Sequence, residues 1–397
     1  MNGRRAHSKR IPSRAAAVAL AAILGGFGAA ASQSDPTASS PAAMARQGDV
    51  ANADWLGRWL FGVHYLVGRM NAALDPSERF RNLRMPADPL PLETFMLGAL
   101  GTPLDTVKLD RQLIYLQGLG VNFLVVEWWK MRRAGLYHPD GPNDYIETVN
   151  HAAGHGMLVA PFIPRIVLSP GVPLPEYIQT LQAEVGEILN IYPRQWLLNL
   201  FDKNGQPRIV VMLHETPICK PGQEKEYIAS FDAAAEAIFK KTGVRVGWTM
   251  ARREARLPSK EEFQAWKQGD AFLAYYALAG LSRFYPGRTE YYQKLADSGL
   301  PIIAGLLPGM VKPETVGKVG FDKEFLSKEL GLGETLANRR IVTFDIFNGF
   351  LEGRGIYPTK QDGDLAPNWA REVVARLKNT NEKEVLPPRT SRERREQ

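Results

Sequence analysis

Carboxylates stand where several apolar segments of this sequence end. Glu127 closes the run Phe123–Val126, and Glu352 follows shortly after the apolar run that begins at Ile341. A carboxylate at the end of a buried strand is costly unless it is paired or used. Two opposed carboxyl groups, one of them an acid with a raised pKa, can hydrolyse a glycosidic bond. The candidates are Glu127, Glu215, Asp345 and Glu352; the ordinary alternative for Glu215 and Glu352 is a solvated loop position.

Aromatic and polar side chains share these segment ends. Sugar rings present flat C–H faces that stack on aromatic rings, while their hydroxyl groups need carboxylate, amide or imidazole partners. We take Glu352 as the general acid/base and Glu127 as its carboxylate partner. About half of the aromatic residues are expected to pack in the core instead. The predicted substrate-binding residues are His64, Tyr65, Trp128, Trp129, His214, Glu215, Trp248, Arg252, Tyr276, Asp345 and Asn348.

Strands alternating with helices must position these side chains. Such alternation indicates right-handed crossovers and a parallel sheet, and eight units close such a sheet into a barrel. We therefore predict an α/β fold, a (β/α)8 TIM barrel in a single domain with an inserted loop after strand one. The competitor is an open doubly wound sheet, but neither GxGxxG nor GxxxxGK[ST] is present. The predicted strands are 59–65, 121–127, 157–163, 208–213, 244–248, 271–276, 301–306 and 340–347.

The predicted helices fill the intervals between these strands. The stretch 175–201 is predicted to be helical with an interruption at Pro193, and residues 66–102 form the inserted loop. The other predicted helices are 104–119, 144–156, 224–241, 260–268, 289–298, 322–330 and 367–377.

Other catalytic patterns are weak or missing. His151 and His155 are spaced i, i+4 on a predicted helix, but Ala152 occupies the position of the glutamate of HExxH, so a metal site is not predicted. No GxSxG motif is present, which disfavours a serine hydrolase. Cys219 is the only cysteine and is predicted to be buried rather than catalytic. No cofactor is implied.

The amino-terminal segment is typical of a secretory signal peptide. Five basic residues precede or begin the apolar stretch 15–30, and Ala29-Ala30-Ala31 offers a cleavage site. We predict a signal peptide at 1–31, a disordered linker at 32–52, the barrel at 53–377 and a charged disordered tail at 378–397. Cleavage would leave no stable membrane span and a periplasmic or secreted protein, whereas the alternative is an uncleaved anchor.

Removal of that segment changes the charge balance. Five of the 49 basic residues lie in it and none of the acidic ones, so 44 basic residues remain against 42 acidic ones. The basic character of the whole chain therefore gives no support for nucleic-acid binding. Basic residues recur in the predicted loops, and a basic rim would attract an acidic polysaccharide. The ordinary alternative is a solvated surface. These residues are Lys130, Arg132, Arg133, Arg165, Arg252, Arg253, Arg256, Arg283, Lys312 and Arg354.

The last predicted strand and its loop resemble a known family. Residues 347–353, FNGFLEG, followed by Gly355-Ile356-Tyr357-Pro358, resemble the strand-eight motif of glycoside hydrolase family 99 and its relatives in polysaccharide gene clusters. The segment 120–129 is similar to the family's strand two. The resemblance implies a retaining, endo-acting barrel that cleaves a mannose-type or related glycan, with Glu352 as acid/base. Gly349 and Tyr357 stand where the family has further carboxylates.

These observations lead to one principal reading, one alternative and a weaker third reading. The third is an exported barrel that acts on something other than sugar, and the aromatic residues at the strand ends argue against it. The principal reading is an exported glycoside hydrolase that cleaves an acidic or mannose-containing polysaccharide by carboxylate acid/base catalysis. The departure at Gly349 motivates the alternative, a glycan-binding barrel of an exopolysaccharide secretion or modification system that cleaves nothing.

Overall fold

The structure is a computed structural model. It describes residues 58–65, 67, 104–128, 142–163, 172–214, 216–251, 259–277, 288–312, 317–320, 322–345, 347, 355–358 and 363–379. The predicted signal peptide and linker, nearly all of the inserted loop and the tail beyond residue 379 lie outside these residues. No helix within the described residues is long and apolar enough to cross a membrane.

Strands and helices alternate along the described chain. Short connections include a 3-10 helix at Arg194–Trp196. In chain order the elements are β1 (Leu60–Tyr65), α1 (Thr106–Gly118), β2 (Phe123–Glu127), α2 (Pro142–Gly154), β3 (Leu158–Ile163), α3 (Leu174–Ile191), β4 (Asn199–Phe201), β5 (Pro207–Leu213), α4 (Glu224–Thr242), β6 (Val246–Met250), α5 (Lys260–Gln268), β7 (Phe272–Ala277), α6 (Arg288–Asp297), β8 (Ile302–Leu306), β9 (Gly309–Lys312), β10 (Gly317–Gly320), α7 (Lys323–Leu336), β11 (Ile341–Phe344) and α8 (Leu365–Asn379).

Eight parallel strands close into a barrel. Their order is β1, β2, β3, β5, β6, β7, β8 and β11, and β11 pairs back onto β1. The pairing of β3 with β5 closes the sheet where β4 interrupts the sequence order. This arrangement confirms the predicted (β/α)8 barrel, and it brings the carboxyl ends of all eight strands to one face.

Side chains alternate between the barrel interior and the helical layer. One apolar cluster, which includes Phe123, Val125, Phe162 and Tyr276, fills the interior. A larger cluster lies between the strands and the surrounding helices. Gly62 makes room for the interior packing, because a Cβ atom there would lie 2.2 Å from Cζ of Phe123. The two clusters follow from the period of two along each strand.

Local capping sets several helix boundaries. Asp105, Ser259 and Asp322 each accept a hydrogen bond from a backbone N–H in the first turn of α1, α5 and α7. These side chains satisfy donors that a helix leaves unpaired at its start. Gly243 ends α4 in the left-handed conformation, with φ of 70°.

Several predicted boundaries are wrong. The helix predicted at 322–330 continues to Leu336 as α7. The end of the predicted helical stretch 175–201 forms β4, which pairs antiparallel with β5. The turn between them is held by Asp202, whose carboxylate accepts from the backbone N–H of Asn204 and of Gln206 at 2.8 and 2.9 Å. The predicted strand 244–248 lies two residues further along as β6.

Loss of the Asp202 carboxylate should destabilise the fold strongly. Asp202 has a fully buried side chain, and Nε of Arg208 donates to it at 2.7 Å while Arg208 is itself only 11% exposed. Asp202→Ala removes the carboxylate that bonds Nε of this largely buried guanidinium and leaves it the Val246 carbonyl and the more distant Asp270, and the expected loss is about 3–5 kcal/mol in the free energy of unfolding, measured in urea. Asp270→Ala is the control, since Asp270 pairs with Lys203 at 3.0 Å but is 63% exposed. Equal losses in both variants would contradict this role.

A surface cluster of Asp110, His151 and His155, between α1 and α2, should make the free energy of unfolding depend on pH. Partial burial raises the pKa of Asp110, but hydrogen bonds from His151 and His155 outweigh this, so the pKa lies below its ordinary 3.8. A lowered folded-state pKa gives stability that is present above the unfolded pKa and lost as pH falls below about 3.8. Asp110→Asn should therefore cost under about 1 kcal/mol at pH 6, and the cost should shrink as the pH is lowered below about 3.8 in denaturant titrations. A cost that does not shrink as the pH falls would refute the assignment.

Candidate functional site

Five of the predicted site residues face the barrel interior at the carboxyl ends of its strands. These positions continue the inward-facing series of β1, β2, β5, β7 and β11, which alternates with the series facing the helices. Parallel strands therefore bring together side chains that are far apart in sequence. The five residues are His64, Glu127, His214, Tyr276 and Asp345.

His64 is the centre of this group. Its imidazole is 2% exposed, with Nδ1 at 3.6 Å from Oε1 of Glu127 and Nε2 at 2.5 Å from Oη of Tyr276. Tyr276 Oη also lies 2.8 Å from Oγ1 of Thr343. The Glu127 side chain is 12% exposed, so it is the member of this network with access to the barrel mouth.

Aromatic rings fix the orientation of the two histidines. The His64 ring meets the Phe162 ring edge-on, with centroids 4.6 Å apart, and stacks on Tyr276 at 5.7 Å with an interplanar angle of 10°. His214 stacks on the other side of the group, against Phe162 at 5.9 Å. The Phe162 ring therefore lies between the two imidazoles and contacts both.

Asp345 lies next to His64 across the pairing of β1 with β11. The register pairs Val63 with Phe344, and the following residues continue inward. Asp345 is 4% exposed, and its backbone N–H donates to the carbonyl of Leu306 at 2.7 Å. The barrel interior thus holds carboxylates on both sides of His64, from Glu127 on β2 and from Asp345 after β11.

Three predicted substrate-binding aromatics lie instead in the helical layer. Oη of Tyr65 donates to Oε1 of Gln112 on α1 at 2.5 Å, and burial raises the pKa of the Tyr65 hydroxyl. Nε1 of Trp128 donates to Glu184 at 2.9 Å, and Nε1 of Trp248 donates to the carbonyl of Phe231 at 2.9 Å. All three belong to the outer apolar cluster. We therefore leave Tyr65, Trp128 and Trp248 out of the proposed site.

The remaining predicted residues lie outside the described residues. They include the predicted acid/base, and their roles stay predictions. They are Glu352, Trp129, Glu215, Arg252 and Asn348.

Two interior residues were missed by sequence reasoning. Thr343 and Phe162 lie inside apolar runs and look like ordinary strand residues. Alternate residues of a strand share a face, so assigning the inward face of β3 and of β11 would have placed Phe162 and Thr343 in the interior, as it places His64 on β1. That count requires strand ends known to within one residue.

Two other kinds of site could carry function, a metal centre and a cavity outside the barrel mouth. Within the part of the chain that the structure describes, no three His, Cys, Asp or Glu side chains are grouped to hold a metal ion. A cavity of about 430 Å³ lies at the amino ends of β5, β6 and β7, opposite the strand ends that carry His64 and Glu127. Its lining includes Asp202 and Arg208, which already bond each other.

Comparison with known proteins shows the fold. No protein-family model and no curated protein matches the chain. The chain is similar to a structure of the GH99 endo-alpha-mannosidase from Bacteroides thetaiotaomicron in complex with BIS-TRIS-propane, with a TM-score of 0.54, 14% identity, and coverage of 80% of this chain and 97% of that one. A second structure of that enzyme gives 0.45 at 14% identity over 68% and 79% of the two chains. GH5_18 from Streptomyces cattleya in complex with GlcNAc gives 0.41 at 13% identity over 81% of each.

Proposed function

We propose that this barrel is a glycoside hydrolase that cleaves a polysaccharide by carboxylate acid/base catalysis. The observation that supports it is the position of Glu127, at the carboxyl end of β2, turned inward and facing Nδ1 of His64 at 3.6 Å. This is the face of a (β/α)8 barrel at which catalytic residues gather. In the proposal, Glu127 is the ionised carboxylate and Glu352 is the acid/base.

The geometry around Glu127 suits a sugar better than a smaller apolar substrate. The interior offers imidazole, phenol and carboxylate groups from His64, His214, Tyr276 and Asp345, which can bond hydroxyl groups. In this role Glu127 needs a second carboxyl group across the glycosidic bond. Glu127 ends β2, which pairs with one edge of β1, and Glu352 comes after β11, which pairs with the other edge. We assign that role to Glu352.

The proposed substrate is an acidic or mannose-containing polysaccharide. The mannose-containing class rests on the resemblance of residues 347–353 to the family 99 motif, and the similar structure is an endo-alpha-mannosidase. The acidic class rests on the basic residues of the predicted loops. If it is right, binding should weaken as salt is added. Export through the segment 1–31 belongs to the same proposal.

Product release tests the proposed function. The full chain without residues 1–31 is incubated with a panel of acidic, mannose-containing and neutral polysaccharides, and new reducing ends are counted and sized. The proposal expects shortened products from at least one acidic or mannose-containing polysaccharide. Tight binding to such a polysaccharide with no new reducing ends would contradict it.

That second result would favour a different function, a glycan-binding barrel that cleaves nothing. One sequence observation supports this candidate: Gly349 stands where the resembling family has the carboxylate that assists the 2-hydroxyl group. A barrel without that carboxylate could keep its sugar contacts and lose turnover.

A further inference from the structure

A chain of interior side chains leads from β11 to Glu127. Oγ1 of Thr343 lies 2.8 Å from Oη of Tyr276, and Oη lies 2.5 Å from Nε2 of His64. The opposite ring nitrogen, Nδ1, faces Oε1 of Glu127 at 3.6 Å. The chain therefore joins β11, β7, β1 and β2 across the barrel. Acid/base catalysis by Glu127 and Glu352 alone does not require it.

The negative charge of Glu127 sets which atoms donate and which accept along this chain of side chains. A neutral imidazole carries one N–H, and a carboxylate only accepts hydrogen bonds. A proton on Nδ1 would face Glu127 favourably, whereas a proton on Nε2 would turn the Nδ1 lone pair towards the carboxylate. With Nδ1 protonated, Nε2 accepts from the Tyr276 hydroxyl. That hydroxyl has a single proton, so it accepts in turn from Thr343.

Aromatic rings hold the plane of the His64 imidazole. Phe162 meets its edge at 4.6 Å and the Tyr276 ring is nearly parallel to it, so the imidazole cannot tilt without displacing both. Within that plane, the contact of Nε2 with Oη of Tyr276 sets which edge of the ring faces Glu127. The 3.6 Å between Nδ1 and Oε1 is longer than a hydrogen bond. Catalytic hydrogen bonds of a free enzyme often shorten when the substrate binds.

We propose that His64 is a positioning residue, fixed with its proton on Nδ1 by Tyr276 and Thr343, that holds Glu127 as a carboxylate aimed into the barrel. The catalytic consequence rests on the proposed function: Glu127 would be the ionised member of the pair and Glu352 the member that carries the proton. The state of the imidazole itself can be tested without any substrate.

Other titratable groups surround His64 and belong in the test. Within the described residues they are Glu127 on β2, Tyr276 on β7, Asp345 after β11, and His214 beyond the Phe162 ring. Asp345 is the competitor for the His64 proton, because it follows the residue paired with Val63. The assignment to Glu127 rests on Nδ1, which faces Oε1 of Glu127 at 3.6 Å.

The adjacent tyrosine provides a matched control. Oη of Tyr275 lies 2.9 Å from Oη of Tyr291 in the helical layer, so Tyr275→Phe removes a buried hydroxyl from the same strand on its opposite side. Tyr276→Phe removes the hydroxyl that faces His64 and keeps the stacked ring. Thr343→Val removes the donor to Tyr276 with nearly the same shape and serves as a second variant.

Nitrogen NMR of the ¹⁵N-histidine-labelled protein at pH 8 is the measurement. The His64 signals are identified by their loss in His64→Gln. We expect Nδ1 protonated and Nε2 unprotonated in the wild type and in Tyr275→Phe. Tyr276→Phe and Thr343→Val should shift the ring towards a mixture of the two forms. A wild-type ring protonated on Nε2, or on both nitrogens, would overturn the proposal.

Kinetics on a cleaved polysaccharide tests the catalytic part. Tyr276→Phe should lower kcat at least about tenfold, with KM nearly unchanged, and move the acid limb of the pH profile upward, because Glu127 is less well held as a carboxylate. Tyr275→Phe should leave both unchanged. A pH profile that does not move although the NMR signals do would refute the positioning role. If no polysaccharide is cleaved, the hydrolase proposal fails while the NMR result stands by itself.

Discussion

Glu127→Gln is expected to lower turnover by about 10³-fold or more while the protein stays folded. A general base or nucleophile contributes at least 10²–10⁴-fold, and an amide supplies neither function. Glutamine keeps the size of the side chain, so the packing around His64 and Phe162 should hold. The measurement is kcat on a cleaved polysaccharide, with the melting temperature recorded beside it.

Glu184→Gln is the matched control for that variant. Glu184 is a buried glutamate on the other side of β2, where it accepts a hydrogen bond from Nε1 of Trp128 at 2.9 Å. An amide oxygen can accept the same bond, and turnover should stay within about twofold of wild type. Equal losses of turnover in both variants would mean that any buried charge matters, and the role of Glu127 would be wrong.

Glu352→Gln is expected to remove turnover and keep binding. The loss should reach about 10²–10⁴-fold in kcat, since the leaving group would have no proton donor. Affinity for the polysaccharide should change little, because the amide retains most hydrogen-bonding capacity. Turnover and equilibrium binding of the same polysaccharide are measured for wild type and variant.

A substrate with a good leaving group sharpens this prediction. An activated aryl glycoside needs little protonation of the departing oxygen, so Glu352→Gln should lose far less rate on it than on the polysaccharide. Glu127→Gln should lose rate on both. A Glu352→Gln variant that cleaves the polysaccharide at the wild-type rate would show that another group is the acid.

The barrel was predictable because its strands are apolar on both faces. Runs such as Phe123–Val126 and Ile302–Leu306 stand out between amphipathic helices, and their number predicts closure. The strand β4 was missed because Asn199–Phe201 continues an apolar stretch that suits a helix equally well. What makes it a strand is the Asp202 turn, whose buried pairing with Arg208 forms only in three dimensions.

Sequence reasoning predicted the inward-facing polar residues and Tyr276, but it also assigned to the site three aromatic residues that lie in the helical layer. His64, Glu127 and Asp345 lie within two residues of a strand end both in the predicted strands and in the structure. Tyr65 and Trp248 differ from inward positions by one residue, and a one-residue difference in a strand reverses the side on which a side chain lies. A boundary uncertain by two residues cannot resolve that difference.

The contact between His64 and Tyr276 could not be predicted from the sequence even with exact strand boundaries. These residues are 212 positions apart in the chain and meet because β1 and β7 both contribute to one interior. No spacing in the sequence encodes this contact. It follows from closure of the barrel and from the alternation of side chains along both strands.

The distance from Cδ of residue 127 to the carboxyl carbon of Glu352, measured in a crystal structure of Glu127→Gln with a bound oligosaccharide, tests the central claim most directly, because the amide occupies the place of the Glu127 carboxyl group. Two carboxyl groups that share a glycosidic bond lie about 5–5.5 Å apart in retaining enzymes and about 6.5–9.5 Å apart in inverting ones. We predict a separation within about 5–9.5 Å, with the sugar between the two side chains. A separation well beyond about 10 Å, or a different carboxyl group opposite Glu127, would contradict the account.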